Sequence, residues 1–149
     1  MTIQIDLLAY QKELTTKQEN GKSFLWDPIR KKYLVNLPEE LVRQLLIIYL
    51  QKEIGFSKNY IAVEKSIKVN DLQKRFDLLV FDENHKPFIL IECKSPKVKI
   101  NQNTFEQIAW YNSTLKVPYL LVTNGITTYC CSVNYADSSV GFLDKIPNR

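Results

Sequence analysis

Asp77, Glu92 and Lys94 are the residues of this chain whose types and spacing best suit chemistry. Asp77 lies near the start of the apolar run Phe76 to Phe81; Glu92 lies near the end of a second run, Phe88 to Cys93, with Lys94 two residues further on. Side chains alternate across a strand, so Glu92 and Lys94 share one face while Ile91 and Cys93 take the other. Asp82-Glu83-Asn84-His85-Lys86-Pro87 between the runs reads as a hairpin connection. Pairing Phe81 with Phe88 then sets Leu79 against Leu90 and Asp77 against Glu92, all on the face of Lys94. A slip of one residue would part the two carboxylates.

Two carboxylates facing each other on a half-buried sheet repel and are costly to desolvate. A divalent cation removes that conflict. Oxygen ligands without histidine or thiolate favour Mg²⁺ or Mn²⁺, ions that activate water and neutralise phosphoryl oxygens. Lys94 could stabilise the developing charge or position the attacking water. The bland alternative is a solvated Glu92 and Lys94 ion pair. Against it stands the position of the pattern, which closes a strongly apolar run and aligns with a second carboxylate.

The elements that must hold these residues follow from the hydrophobic pattern. Ser23 to Trp26, Asp27-Pro28 and Tyr33 to Val35 suggest a strand, a turn and a strand. Pro38 opens a helix with Glu39 and Glu40 at the positive end of its dipole and apolar stripes through Leu41, Leu45, Ile48 and Val42, Leu46, Tyr49, ending near Gly55. Tyr60 to Val69 alternates as a strand, and Thr104 to Leu115 has helical spacing in Phe105, Ile108, Ala109 and Asn112. Val117 to Thr123 and Ile126 to Val133 flank Asn124-Gly125, a strong hairpin signal. The expectation is one α/β domain over 1–149 in the order α-β-β-β-α-β-β: an extension at 1–35 with short strands, a core at 36–133 and a tail at 134–149 whose pattern suggests no more than a short helix or a docked tail.

Bulk properties narrow the class. At 149 residues, 45% hydrophobic and 24% charged, the chain suits a single globular core. A lone histidine, His85, read as a solvated turn residue, excludes histidine-metal chemistry, and three cysteines without CxxC spacing read as reduced structural residues. The absence of a signal-like start or an apolar run near the roughly 20 residues of a membrane span predicts a soluble, cytoplasmic protein without a membrane partner. A net charge of +4 is compatible with a polyanion but does not establish one. Lys94, Lys97 and Lys99 cluster beside the candidate site, while Arg30, Lys31 and Lys32 read as a solvated basic face.

Arg75-Phe76-Asp77, Ile91-Glu92-Cys93-Lys94-Ser95-Pro96 and Gln107-Ile108-Ala109-Trp110-Tyr111 together resemble the N-terminal nuclease domain of type I restriction enzyme R subunits, within the PD-(D/E)xK superfamily. Trp26 to Tyr33, Pro38 to Gln44 and Leu121 to Gly125 look like that family's flanking pattern, so the resemblance runs in order from Trp26 to Gly125. It implies a restriction-endonuclease-like core with a mixed central sheet flanked by helices. It also implies Mg²⁺ or Mn²⁺ held by Asp77, Glu92 and the Cys93 carbonyl, with Lys94 completing the set for phosphodiester hydrolysis in DNA. Gln107 and Tyr111 match the family's QxxxY motif, and their i,i+4 spacing puts both on one helix face. Tyr111 serves equally as a part-buried aromatic. Glu40 matches an acidic position directed at the metal, although a charge favourable with the helix dipole explains it too. Glu64 matches a family glutamate and reads equally as an exposed strand residue.

Phe76 replaces the superfamily's proline, and the chain contains no GxxxxGK[ST] loop for an ATP-driven motor. The leading expectation is a metal-dependent DNA endonuclease in which Lys97 and Lys99 help hold the strand, acting as a homo-oligomer or with restriction-system partners. A catalytically idle nucleic-acid-binding or assembly module is the competing class, and a repair or junction-resolving nuclease is a third.

Overall fold

A computed structural model of the chain describes residues 2–69, 71–112 and 115–148, with the side chains of residues 65, 67, 69, 72, 74 and 110–112 excluded. The apolar runs become the middle of a six-stranded sheet: β4 (Ile61–Val69), β5 (Leu72–Phe81), β6 (Pro87–Cys93), β7 (Tyr119–Thr123), β8 (Thr128–Asn134) and β9 (Ser139–Leu143), neighbours in that order. All neighbours are antiparallel except β6 and β7, which run parallel because helix α2 (Gln102–Asn112) forms the crossover between them.

Helices on both faces explain why the central strands are almost continuously apolar. Leu78, Val80, Ile89, Ile91, Leu121 and Cys130 pack with Val42, Leu45, Leu46 and Ile47 of helix α1 (Pro38–Tyr49). Leu79, Leu90, Leu120, Val122 and Cys131 pack with Phe105 and Ala109 of α2 on the opposite face. Pro38 at the first turn and Glu39 and Glu40 beside it start α1 as the sequence predicts. A π-helical turn, Leu50–Ile54, extends it to Gly55, whose φ of 91° stops the helix where a side chain would be strained.

The residues before α1 hold more structure than two strands. A 3₁₀ turn, Leu7–Glu13, sends Leu7 into the α1 core, and β1 (Thr16–Glu19), β2 (Lys22–Asp27) and β3 (Lys32–Val35) form a separate antiparallel sheet. The segment after Asn134 is a sheet strand: β9 pairs with β8, with Phe142 opposite Cys131. The β5 and β6 register holds Leu79 against Leu90 as expected, but a bulge shifts Phe81 onto Pro87. Phe88 therefore turns to the α1 core beside Phe56 and Tyr119, and does not share the face of Leu90. His85 is a turn residue whose ring stacks on Tyr60. Cys93, Cys130 and Cys131 are buried and free. Among the described residues no helix is long and apolar enough to cross a membrane.

Candidate metal and nuclease site

The candidate residues lie where the sheet stops being regular. The β5 and β6 ladder runs from Val80 and Ile89 to Leu78 and Ile91, and the same register carried on sets Asp77 against Glu92. At that step the strands no longer pair backbone to backbone there: the Cys93 amide donates to Asp77 Oδ2 at 2.7 Å. Alternation breaks at the same point. Phe76 and Leu78 should share a face, yet Phe76 packs in the α2 core and Leu78 in the α1 core. Across β4, Glu64 falls opposite Asp77 between the pairs Val63 with Leu78 and Lys65 with Phe76, and its φ is 51°. A non-glycine residue held at positive φ inside a strand stores strain, and such strain gathers at functional positions.

That register brings the charge of Asp77 to bear on Glu92. The Glu92 carboxyl is pushed up from its ordinary 4.5 to about 7, first by burial, then by the charge of Asp77 and a hydrogen bond with it; Lys94 opposes the shift. Lys94 Nζ stands 4.0 Å from Glu92 Oε2 and remains partly exposed. Its own amide donates to the Thr123 carbonyl at 2.8 Å, tying the end of β6 to the end of β7. Glu92, Cys93 and Lys94 thus sit at the carboxyl ends of the two parallel strands, where open α/β sheets carry their ligands.

The opposite side of Asp77 is crowded with arginine. Arg43, buried on α1, donates to Asp77 Oδ1 at 3.3 Å, Glu64 Oε1 at 3.3 Å and Glu40 Oε1 at 3.1 Å. Arg30 binds both oxygens of Glu40, at 3.0 and 2.9 Å, and reaches Asp27 Oδ2 at 2.5 Å and Glu64 at 3.3 Å. Asp27 is fully buried, its Oδ1 accepting the amides of Ile29 and Arg30. Burial alone would raise the Asp27 carboxyl, but the Arg30 side chain and these amides lower it. Glu64 is also lowered: the Arg75 hydrogen bond and the charges of Arg30, Arg43 and Arg75 outweigh its burial.

Several expectations change here. Arg30 is no part of a solvated basic face; it is a half-buried hub, while Lys31 and Lys32 are exposed. Glu40 is engaged by Arg30, Arg43 and Gln44, so its oxygens face guanidinium and amide groups. Glu64 is tied to three arginines and is not a bare strand surface residue. Gln107 is exposed on α2, and the side chain of Tyr111 lies outside the described residues. Lys97 and Lys99 are exposed on the loop after Lys94. Among the described residues no three side chains of histidine, cysteine, aspartate or glutamate form a group that could hold a metal ion. Sequence pattern alone does not single out Arg43 and Asp27 as site residues. The signal is present: Glu40, Arg43 and Gln44 are polar yet fall among the apolar residues of a helix whose buried residues also include Val42, Leu45, Leu46 and Ile47.

A six-stranded mixed sheet between two helices, distorted where an aspartate meets a Glu-x-Lys strand end, is a restriction-endonuclease-like α/β fold. Residues 38–147 match the family model described as type I restriction enzyme R protein N terminus (HSDR_N), and the chain belongs to that family. Among solved structures, it is similar to the fragment described as an HsdR subunit of a type I restriction enzyme from Vibrio vulnificus YJ016. The identity is 20% and the TM-score 0.51, over 75% of this chain and 24% of that one, so this chain spans about a quarter of the length of that relative. No curated protein matches the chain closely enough to add to these similarities.

Proposed function

We propose that the chain is a Mg²⁺-dependent or Mn²⁺-dependent DNA endonuclease domain that hydrolyses phosphodiester bonds, working in the cytoplasm with restriction-system partners or with further copies of itself. The observation that carries this reading is the β5 and β6 register, which carried on sets Asp77 against Glu92, with Lys94 Nζ 4.0 Å from Glu92. Family membership supplies the context of restriction and of DNA. The donor set suits a hard divalent cation, because the pair concentrates negative charge at a desolvated strand end and offers oxygen ligands only. Asp77, Glu92 and the Cys93 carbonyl would hold it; when bound, it supplies charge neutralisation and an activated water.

The chain's own residues do the rest. The Cys93 amide fixes Asp77 Oδ2, and Arg43 fixes Oδ1, so the carboxylate is oriented in advance. Lys94 is anchored through its backbone to Thr123 while its ammonium stays accessible to the charge that develops on the scissile phosphate. Lys97 and Lys99 meet the flanking phosphates. The test is cleavage of plasmid and single-stranded DNA with Mg²⁺ or Mn²⁺, comparing the wild type with Asp77→Asn and Lys94→Ala. Lys94→Ala should cut about 10²–10³-fold more slowly. Variants that cut as fast as the wild type would refute the assignment.

One observation favours a second reading, a DNA-binding or assembly module without turnover: Arg43 already balances part of the charge on Asp77. That reading predicts DNA binding by the wild type with no cleavage in either metal.

A further inference from the structure

The turn that joins β2 to β3 belongs to the separate three-stranded sheet, yet it reaches the carboxylate site through a chain of ion pairs. Asp27 is fully buried, and its Oδ1 accepts the amides of Ile29 and Arg30 at 2.7 and 3.0 Å. The Lys31 amide closes the turn onto the Asp27 carbonyl at 2.8 Å, with Lys31 at φ of 55°. A turn held at three amides gives the Arg30 side chain a fixed origin. Asp27 Oδ2 takes Arg30 Nε, which directs the other two guanidinium nitrogens towards α1 and β4. There Nη2 forks onto both oxygens of Glu40, and Nη1 stands 3.3 Å from Glu64 Oε2.

Glu40 and Glu64 are the same two carboxylates that hold Arg43 Nη1, at 3.1 and 3.3 Å. Arg43 has little else to fix it, since its Nε is buried and has no hydrogen-bond partner among the described residues. Its Nη2 meets Asp77 Oδ1 at 3.3 Å, longer than the usual charge-assisted bond. The close contacts thus gather at Arg30 and the loosest is at Asp77, so the place of Arg43 is set from the turn and passed on to Asp77. Charge works in the same direction: Arg30 balances Glu40 and Glu64, which without it would draw Arg43 away from Asp77. Glu64 has a further anchor in Arg75 at 2.7 Å, whereas Glu40 has only the Gln44 amide at 3.1 Å besides the two arginines. Glu40 is therefore the link that depends most on Arg30.

Resting on the metal reading above, we infer that Arg30 is a positioning residue for that site: through Glu40 and Arg43 it sets the orientation of Asp77, and with it the affinity for the divalent cation. Calorimetric titration of the full chain with Mn²⁺ alone tests this apart from cleavage, with Asp77→Asn marking the binding that belongs to the site. Arg30→Gln should weaken that binding about tenfold, the low end of what partners behind a metal ligand contribute. Removing a positive charge would by itself tighten cation binding, so the sign separates positioning from charge. Arg30→Lys keeps the charge, but an ammonium cannot fork Glu40 while reaching Asp27 and Glu64, so it should weaken Mn²⁺ as well. Circular dichroism at the titration temperature shows which variants are folded, and Arg30→Lys carries the test if Arg30→Gln is not. Arg30→Lys combined with Arg43→Lys should bind no more weakly than Arg43→Lys alone, because one path carries both effects. Binding by Arg30→Lys that is tighter than wild type or within about twofold of it overturns the inference, as does a double variant in which the two losses add. Wild-type protein without Asp77-dependent Mn²⁺ binding sinks the metal reading and this inference together, whereas Arg30-dependent binding in a protein that cuts no DNA sinks the nuclease reading alone.

Discussion

Two sides of Asp77 solve the same electrostatic problem in opposite ways. Towards α1, Asp27, Glu40 and Glu64 are met by Arg30, Arg43 and Arg75, and the carboxyl groups of Asp27 and Glu64 are held below their ordinary values. Towards β6, Glu92 meets another carboxylate and a lysine at 4.0 Å, and its carboxyl rises to about 7. Guanidinium forks satisfy carboxylates geometrically as well as by charge, whereas one half-exposed ammonium does not. On the arginine side each carboxylate has a guanidinium partner, whereas the Glu92 side has none, which is why the proposed cation is placed there. Carboxylates count as ligand candidates only after their arginine partners are subtracted, which is why Glu40 drops behind Glu92.

The most damaging way to disturb this contrast is at Asp77, which belongs to both sides. Asp77→Asn should bring metal-dependent cleavage to background in a plasmid assay, while circular dichroism still shows a folded chain. Next comes Arg43. Arg43→Ala takes from Asp77 its arginine partner and leaves Glu40 and Glu64 with Arg30 and Arg75 only, and should cost about 3–5 kcal/mol in urea unfolding. A loss below about 1 kcal/mol, the value of an exposed pair, would show that the arginine side is no scaffold.

A smaller, signed effect separates the two sides by pH. The folded Glu92 carboxyl titrates near 7 against an ordinary 4.5, so the native state binds the extra proton between those values. Its contribution is complete below about 4.5 and is lost as pH rises through 7 in metal-free protein. Glu92→Gln should remove that loss and unfold at higher urea than wild type at pH 8 in EDTA. Millimolar Mg²⁺ should reverse the order by stabilising only the wild type. Asp27 and Glu64, shifted downwards, act in the other sense, contributing stability at neutral pH that disappears on acidification. The smallest effect expected is at Glu39, whose charge adds to the rise of Glu92. Glu39→Gln should lower the Glu92 midpoint slightly in a carboxyl NMR titration, and an upward move would contradict the charge balance described here.

Much of the scaffold is legible along the chain because its signals are local. Pro38, Glu39, Glu40 and the stripe through Val42, Leu45 and Leu46 specify α1 without reference to anything distant. The runs ending in Phe81 and starting at Phe88 specify neighbouring strands, and Leu79 and Leu90 do pair. The bulge that turns Phe88 to the α1 core is not local: it answers to Phe56 and Tyr119, which come from elsewhere in the chain. The strand β9 was illegible for a similar reason, because Ser139 to Leu143 is short and reaches strand geometry by adding to β8. Arg30 looked like part of a basic run, since sequence neighbours cannot reveal a buried partner ten residues away such as Glu40.

By itself, the order of residues determined that Asp77 and Glu92 would lie at facing ends of neighbouring strands, because strand periodicity and hairpin connection need only short-range information. It also determined the two-sided apolar character of the central strands, and with it helices on both faces. Tertiary structure alone decided which charges were already answered. Arg43 and Arg30 reach Asp77, Glu64, Glu40 and Asp27 across α1, β4, β5 and the turn after β2, and the worth of a charge depends on what surrounds it at a few ångströms.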